Sequence, residues 1–410
     1  MGGVFQDYPN LVRLNPNVPW KTRGNGALCL RVLIDAEWVA ELEELVIDTV
    51  EKNSVLSDPS TDPGIIFYGG GIHPELCSFT RMATTRVVDI EQARSLISRF
   101  HMDSVTLKGE RGLIGALAAV GGLQDGDYTF ELIAYRRPEN RGKTRKVSRD
   151  SILCMDKRTH PQTFNNIDGE TGRILITPRG PDPILYGIRG ESPESVLEAY
   201  NMLEPLEEIE RWAIFRTNQG TDCHLMEVKT IREVDPYQSI AAQGWVNSSP
   251  RTIPGGHVIF SLRDGSGEVD CAAYEPTGGF RNIVRTLIPG DYLQVYGGVR
   301  PPTDSFSKTV NLEKVRVLEL ASDVVTANPH CPSCMKRMKS MGRGQGFRCE
   351  RCGMRLPLAS KVHVSMPRTM RASLYIPPPR AHRHLTKPLS RYGLEKNGGS
   401  VQPHGTWHCP

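Results

Sequence analysis

The chain has no apolar run that approaches the roughly 18 residues needed to cross a bilayer. Its N-terminus also lacks the charged, apolar and small-residue regions of a secretory signal peptide. These two absences exclude a protein that crosses a membrane on helices, and they favour a cytoplasmic protein. Hydrophobic residues make up 39% of the 410 residues, which is enough for two or more domains that each bury a core.

Acidic residues are nearly absent from the last fifth of the chain. Residues 331–410 contain 15 Lys and Arg but two acids, Glu350 and Glu395, whereas the first 330 residues carry a net negative charge. A cationic end on an acidic body indicates a polyanionic partner that is held chiefly by that end. A solvated basic tail without a specific partner is the alternative.

Paired cysteines are few but regularly spaced. Four of the ten cysteines form CPSC, fourteen residues, then CERC: Cys331, Cys334, Cys349 and Cys352. Two such pairs supply the four thiolates of a structural Zn²⁺ site, and four protein ligands leave no open position for catalysis. Exposed cations in this ribbon are candidate nucleic-acid contacts, namely Lys336, Arg337, Arg343 and Arg348.

The stretch from Arg13 to Gly26, RLNPNVPWKTRGNG, which we call the basic loop, combines cations, amides and glycines. A loop of this composition can turn several N–H groups and cations toward one anion. The candidate polyphosphate ligands are Arg13, Lys21, Arg23, Gly24, Asn25 and Gly26. A solvated surface turn is the alternative, because a single Gly-rich basic loop is a weak motif.

The first hundred residues alternate strand-like and helix-like patterns, as expected of an α/β unit. We predict a buried strand at 27–35, further strands at 64–68 and 87–88, and helices at 37–52 and 90–100. Three glycines after the second strand precede His73, which can donate a proton or act as a general base. Helix capping or packing is the alternative role for this histidine.

Residues 101–234 predict a second α/β unit. Strands are expected at 128–136, 150–156, 173–177, 184–189 and 213–215, and helices at 112–122 and 194–202. Ser192 is the expected N-cap of the last helix, with Pro193 at its first position. The order of these elements fits a ferredoxin-like sandwich.

From residue 235 the pattern changes to short strands. Five are predicted, at 240–246, 257–262, 269–274, 292–299 and 310–318, with a helix at 280–287 after the third. This is the plan of an OB-fold β-barrel, whose open face commonly binds nucleic acid. Trp245, Phe260 and Tyr274 are candidates for stacking on bases, although barrel core is the alternative for about half of such aromatics.

The segment after the second cysteine pair lacks hydrophobic periodicity. We expect residues 359–410 to form an extended basic arm that wraps the body or a nucleic acid. His382 and His384 in this arm can bind a metal, but solvated side chains are the stronger expectation.

Several long segments resemble one family, the archaeal tRNA(Ile) 2-agmatinylcytidine synthetases. They are RLNPNVPWKTRGNG, YGGGIHPEL, CSFTRMATTR, GLIGALAAVGG, TFNNID, GPDPILYGIRG, FRTNQGTDCHL and RHLTKPLSRYG. The resemblance implies a multidomain α+β protein: a kinase-like α/β domain (1–100), a ferredoxin-like domain (101–234), an OB-fold (235–322), a zinc ribbon (328–358) and a basic arm (359–410).

The resemblance also implies a reaction. The family joins agmatine to C2 of the wobble cytidine in the CAU anticodon of an isoleucine tRNA, and it consumes ATP. A phosphorylated C2 oxygen is a leaving group that an amine can displace, so the enzyme must hold a polyphosphate with Mg²⁺, a flipped-out cytosine and a cationic amine. Candidate catalytic residues are then His73, Asp168, Asp222 and His224, and candidate substrate-binding residues are Asn165, Asp182, Arg189 and Asn218. The partners expected are this tRNA and agmatine.

One departure from the family affects the expected activity. Family members carry an acidic segment of the type GIDDTDS before the basic loop, whereas this chain starts with Met1-Gly2-Gly3. Carboxylates of that kind are the usual ligands of Mg²⁺ in phosphoryl transfer. The leading hypothesis is therefore an ATP-dependent tRNA-modifying ligase, and the alternative is an OB-fold and zinc-ribbon protein that binds nucleic acid without catalysis.

Overall fold

A computed structural model describes residues 2–21, 24–304 and 306–409. The N-terminal part comprises β1 (Val4–Phe5), β2 (Asn10–Arg13), β3 (Gly26–Cys29), β4 (Val32–Leu33), α1 (Val39–Asn53), β5 (Gly64–Phe67), α2 (Pro74–Thr85), α3 (Ile90–Arg99), β6 (Asp103–Thr106) and α4 (Arg111–Gly121). Helices α2, α3 and α4 share one core with β2, in which Leu76, Phe79 and Leu117 are fully buried. Helix α4 lies very close to β5, because a Cβ on Gly112 would lie 2.3 Å from the backbone nitrogen of Gly64.

Three details predicted for this part are wrong. The buried strand at 27–35 is two short strands, β3 and β4, and Leu28 and Leu33 on them are 59% and 66% exposed. Residues 80–85 form the last turns of α2 instead of a polar loop. Residues 87–88 form no strand, because they lie in the short connection that ends at Asp89, the N-cap of α3.

The second part is built on a mostly antiparallel sheet. It contains β7 (Thr129–Arg136), α5 (Arg149–Thr159), β8 (Thr163–Phe164), β9 (Ile184–Gly190), α6 (Pro193–Met202) and β10 (Ile209–Thr217). The strand order is β3-β2-β10-β7-β9-β8, so two strands of the N-terminal part extend the same sheet. The pairing of β2 with β10 is parallel, with Asn10 opposite Arg216. This pairing carries the start of the basic loop to the edge of the second part.

The expected helix at 194–202 is confirmed as α6, with Ser192 as its N-cap and Pro193 in its first turn. The strand predicted at 150–156 is wrong, because these residues lie in α5, which Ser148 caps. Ile152 and Met155 are buried at helical spacing, which overrides their local preference for a strand. Residues 173–177 form no strand in the described chain, although Ile174 makes one isolated bridge with Ile167.

The third part is a barrel, as predicted. Its elements are β11 (Met226–Glu227), β12 (Ser239–Val246), β13 (Arg251–Thr252), β14 (Val258–Arg263), β15 (Glu268–Ala273), α7 (Phe280–Arg285), β16 (Tyr292–Arg300) and β17 (Thr309–Glu319). The pairing of β12 with β14 closes the sheet β12-β16-β17-β15-β14 on itself. Helix α7 follows the third long strand and contributes Phe280 and Val284 to the barrel core.

The remaining strands are short and belong to the cysteine-rich ribbon and the arm. They are β18 (Asp323–Ala327), β19 (Lys339–Ser340), β20 (Phe347–Arg348), β21 (Arg355–Leu356), β22 (Val362–Met366), β23 (Leu374–Tyr375) and β24 (His408–Cys409). The arm returns to the body, since β23 pairs with β17 of the barrel and β24 with β10 of the central sheet. No helix in the described part of the chain is long and apolar enough to cross a membrane.

Candidate active site

The basic loop is held in shape by its own amides. Asn25 donates from Nδ2 to the carbonyl of Asn15 at 2.8 Å, and its own carbonyl accepts from Leu14 N at 2.8 Å. Gly24 has φ +83°, and a Cβ there would lie 2.7 Å from Arg13 Nη1, so this position requires glycine. The loop therefore folds back on Arg13 and presents its backbone toward the arm.

A cavity of about 320 Å³ lies where the basic loop meets the second part and the arm. The basic loop lines it with Arg13, Lys21, Gly24 and Asn25, and the second part contributes Asn165 and Arg189. The arm supplies Arg380, Arg383 and His384. Among the described residues, none of the side chains that line it is a carboxylate.

The predicted polyphosphate residues thus come together, with two exceptions. Gly26 starts β3 and packs against the Arg13 side chain, with a Cβ position 3.2 Å from Nη1, but it does not line the cavity. Arg23 lies outside the described residues. The alternative of a solvated surface turn is wrong for the described part of the loop, because Arg13 is largely buried and the loop forms a cavity wall.

Counter-ions behind the cavity leave it with excess positive charge. Glu131 is 3.8 Å from Arg13 Nη2 and 3.1 Å from Arg189 Nε, so one carboxylate serves two guanidinium groups. Arg383 Nε lies 3.1 Å from Glu313. Desolvation, followed by repulsion from Arg383, lowers the pKa of Lys21. An anion in the cavity would relieve both effects, so the cavity is suited to a phosphate-bearing ligand.

Asp168 and Asn165, predicted from the TFNNID segment, lie next to each other but have different roles. Asn165 lines the cavity and has a positive φ of 57°. Asp168 is fully buried and accepts from Arg380 Nη1 at 2.7 Å and from Thr171 Oγ1 at 2.7 Å. Burial raises the pKa of the Asp168 carboxyl, but these donors outweigh it and the pKa is lowered. This carboxylate therefore positions Arg380 and is not free to bind a ligand.

The other predicted residues lie outside the cavity lining. Asn218 bridges the backbone N–H and C=O of Arg13 at 2.8 and 2.9 Å, so it fixes the loop. Asp182 lies 4.0 Å from Arg145 beside a second, separate cavity. His73 caps α2, since its Nδ1 accepts from Glu75 N at 3.3 Å.

Asp222 and His224 lie in a buried ionic interface between the second part, the barrel and the arm. His224 is fully buried, with Nε2 2.9 Å from Glu313 on β17. Asp222 pairs with the buried Lys314 and accepts from Lys387 N of the arm at 2.6 Å. Both side chains are engaged by protein groups, so the geometry gives them a structural role.

The arm is a structural element, and the expectation of solvated histidines is wrong. Arg391 is fully buried between Asp127 and Glu191, at 2.9 and 2.5 Å. His382 Nε2 lies 2.8 Å from the carbonyl of Pro377, and desolvation lowers the pKa of His382 to about 4. These contacts show where much of the charge asymmetry goes: arm cations neutralise carboxylates of the acidic body.

The cavity residues of the arm were missed by sequence reasoning. Arg380, Arg383 and His384 were read as parts of a free tail because no hydrophobic periodicity surrounds them. The excess of unpaired acids in the first 330 residues was an available signal that basic side chains of the end would fold back on them.

The predicted stacking aromatics separate into surface and core. Trp245 is 51% exposed and stacks on Tyr292 with ring centroids 4.8 Å apart. Phe260 is 1% exposed inside the barrel, so its assignment as a base-stacking residue is wrong. Tyr274 is half-buried against His257, at a centroid distance of 5.0 Å.

The four ribbon cysteines converge as predicted. Their sulfur atoms lie within 4.8 Å of one another, and three of the pairs are 3.4, 3.5 and 3.7 Å apart. A tetrahedron of thiolates about 2.3 Å from Zn²⁺ has edges of about 3.8 Å, so the donor set fits a structural zinc ion. The ribbon cations Lys336, Arg337, Arg343 and Arg348 are all exposed around it.

Family models match nearly the whole chain. They are the TiaS TCKD domain at residues 4–109, the TiaS FLD domain at 110–224, an OB-fold nucleic acid binding domain at 240–318 and the TiaS C-terminal zinc ribbon domain at 328–370. These matches and the fold define a multidomain tRNA-modifying ligase.

Full-length relatives identify the family. The chain is 43% identical over 403 residues to the tRNA(Ile) 2-agmatinylcytidine synthetase TiaS of Methanosarcina mazei, covering 95% of this chain and 90% of that protein. It is 41% identical over 393 residues to the protein of the same name from Archaeoglobus fulgidus, covering 96% and 91%. The chain belongs to the TiaS family of tRNA(Ile) 2-agmatinylcytidine synthetases, which confirms the predicted resemblance.

Solved structures agree. An apo TiaS crystal structure superposes with a TM-score of 0.84 at 40% identity, covering 94% of this chain and 89% of that chain. A TiaS complex with its isoleucine tRNA, AMPCPP and agmatine superposes with a TM-score of 0.82 at 38% identity over the same shares of both chains. The predicted class, a multidomain α+β protein with an OB-fold and a zinc ribbon, is confirmed.

Proposed function

We propose that the protein joins agmatine to C2 of the wobble cytidine in the CAU anticodon of an isoleucine tRNA, in a reaction that consumes ATP. The cationic cavity carries this proposal, because motifs that resemble the family's converge on it. The basic loop forms one wall, the TFNNID and GPDPILYGIRG segments the second, and the RHLTKPLSRYG segment of the arm the third. Relatives of this family have been solved with the isoleucine tRNA and ATP, and with agmatine.

We propose that the cavity holds phosphate groups of ATP or of the activated nucleotide. Lys21 and Arg383 face the same space, and the repulsion that lowers the pKa of Lys21 disappears when an anion lies between them. Arg13 and Arg189 share Glu131 and retain unbalanced charge toward the cavity. Gly24 and Asn25 bring backbone close to the ligand without side-chain obstruction.

The cavity does not provide a carboxylate site for Mg²⁺ in the described chain. Its lining contains cations, amides and apolar groups, and the nearby Asp168 is occupied by Arg380. We therefore propose that Mg²⁺ enters with the polyphosphate, and we assign it no protein ligand. The same argument leaves agmatine without a carboxylate partner in this cavity, and Asn165 is the residue we assign to substrate contact.

The RNA is assigned to two exposed surfaces. On the barrel, the stacked Trp245 and Tyr292 offer a flat aromatic platform for an unstacked base. On the ribbon, exposed Lys336 and Arg343 can contact phosphates without reading sequence. We propose that the protein acts in the cytoplasm, where tRNA is modified and used.

The experiment is direct. The protein is incubated with ATP, agmatine and an unmodified CAU-anticodon isoleucine transcript, and the wobble nucleoside is analysed by mass spectrometry. We expect the mass of 2-agmatinylcytidine, and we expect none when ATP or agmatine is omitted. Tight tRNA binding without any mass change would support the alternative, a binding protein without catalysis.

A further inference from the structure

His384 presents one ring nitrogen to the cavity while the other is held by the protein. Its Nδ1 lies 2.9 Å from Gln219 Oε1. The Nε2 side faces the basic loop, since it lies 3.8 Å from the position that a Cβ on Gly24 would occupy. Among the described residues, no hydrogen bond engages this Nε2, and the side chain is exposed to the cavity.

The hydrogen-bond chain behind His384 fixes its tautomer. The Gln219 amide nitrogen donates to the Glu131 carboxylate, so its oxygen must face His384. An amide oxygen accepts only, and Nδ1 therefore carries the hydrogen. The neutral ring then has its lone pair on Nε2, directed at the cavity.

The charges around the ring keep it neutral. The groups that face it are Arg13 on β2, Lys21 in the basic loop, Arg189 on β9 with Nη2 3.2 Å from Nδ1, Arg383 in the arm, and Glu131 on β7 through Gln219. Desolvation, and then repulsion from Arg13, Arg189 and Lys21, lowers the pKa of His384 well below its ordinary range. A proton acceptor thus lies among hydrogen-bond donors.

We propose that His384 Nε2 accepts the proton that the agmatine amine releases when its nitrogen bonds to the activated wobble cytidine. This inference rests on the proposed function. In the step, the bond between the amine nitrogen and C2 forms, and the bond between C2 and the phosphorylated oxygen breaks. Phosphate leaves with the electron pair, and one N–H proton passes to Nε2 and then to solvent.

The position of the leaving phosphate supports this assignment. Cations stabilise a departing phosphate, so the reacting carbon belongs beside Lys21 and Arg383. A base must lie within hydrogen-bond reach of the nitrogen on that carbon. Guanidinium and ammonium groups cannot accept a proton, and the amide oxygens of Asn25 and Asn165 are very weak bases. The same cations favour the neutral, nucleophilic form of a bound primary amine.

The test uses single-turnover rates of agmatine transfer to the tRNA between about pH 5.5 and 9. In His384→Asn, the amide nitrogen can still donate to Gln219, but the group at Nε2 is lost. We expect a rate at least about 100-fold below wild type, with unchanged affinity for ATP and tRNA. We also expect a rate that keeps rising with pH where the wild type is level. In His384→Ala, added imidazole should restore part of the rate.

The control is His404→Asn, an exposed arm histidine paired with Glu194, which should behave as wild type. A His384→Asn rate within a few-fold of wild type would overturn the proposal. So would a loss of rate that is matched by a loss of ATP affinity and is not relieved by imidazole, because that result describes a merely positioning side chain. A wild-type protein that transfers no agmatine would refute the proposed function itself, and with it this inference.

Discussion

Arg391 is predicted to hold the arm against the body, and its replacement tests this directly. The guanidinium group is fully buried, with 2.5 Å to Glu191 and 2.9 and 3.1 Å to Asp127. It also donates to the carbonyl of Gly220 at 2.5 Å. Arg391→Met would leave two nearly buried carboxylates without their main cation.

The magnitude follows from the remaining partners. Breaking a buried ion pair from one side costs about 3–5 kcal/mol. Lys396 still lies 2.5 Å from Glu191, and Lys387 lies 3.8 Å from Asp127, so part of the charge stays balanced. We therefore expect the lower end, about 3 kcal/mol, which increases the population of the opened arm roughly 100-fold.

Hydrogen-exchange mass spectrometry of peptides that cover residues 380–392 measures this opening. The backbone N–H groups of Gly220 and Asp222, which donate to the carbonyls of His384 and Leu385 at 2.9 and 2.8 Å, should lose protection with it. ATP affinity should fall as well, because the arm forms a cavity wall. Arg137→Met is the matched control, since Arg137 pairs with Glu208 at 2.6 Å on the surface, where such a pair contributes at most about 1 kcal/mol. Wild-type exchange rates in Arg391→Met would refute this account of the arm.

Three further predictions address the other domains. Elemental analysis should find about one zinc per chain, and Cys349→Ser should lower the zinc content and increase proteolysis within 328–366, whereas zinc-free protein with a protected ribbon would contradict the metal assignment. Trp245→Ala should weaken tRNA binding by about 1–3 kcal/mol with little change in stability, whereas Phe260→Ala should destabilise the barrel by about 3–5 kcal/mol, and equal effects of the two would be inconsistent with the exposures observed. Although burial opposes its ionisation, His224, Arg383 and Thr386 lower the pKa of Glu313 to about 2, below the unfolded value of about 4.3. The stabilisation from Glu313 is therefore complete above about pH 4.3 and is lost as the pH falls toward 2, so exchange near residue 313 should accelerate in that range and Glu313→Gln should flatten the dependence.

Local patterns in the sequence were sufficient for the elements that fold by local rules. The helix α6 follows from Ser192 and Pro193, the barrel from alternating strands with turns, and the zinc ligands from two CxxC pairs. The region 150–156 was missed because its burial as α5 depends on the sheet beneath it. Tertiary packing decided the outcome there, and short apolar patterns do not distinguish helix from strand.

The candidate site was predicted in part. The basic loop and Asn165 and Arg189 were identified by residue type and resemblance, and they line one cavity. Asp222 and His224 were selected by the same chemistry, yet they pair with Lys314 and Glu313, which lie about ninety residues later in the chain. Residue type signals a charged group, but whether that group faces a ligand or a distant partner depends on contacts between domains.

The most direct test of the central claim is a crystal structure of this protein with a non-hydrolysable ATP analogue. The account predicts that the phosphates lie in the cavity between the basic loop and the arm, within hydrogen-bond distance of Lys21 and Arg383. It also predicts that His384 Nε2 borders the vacant substrate side of the same cavity. Phosphates bound elsewhere, with Lys21 and Arg383 unengaged, would contradict the assignment of this cavity as the active site.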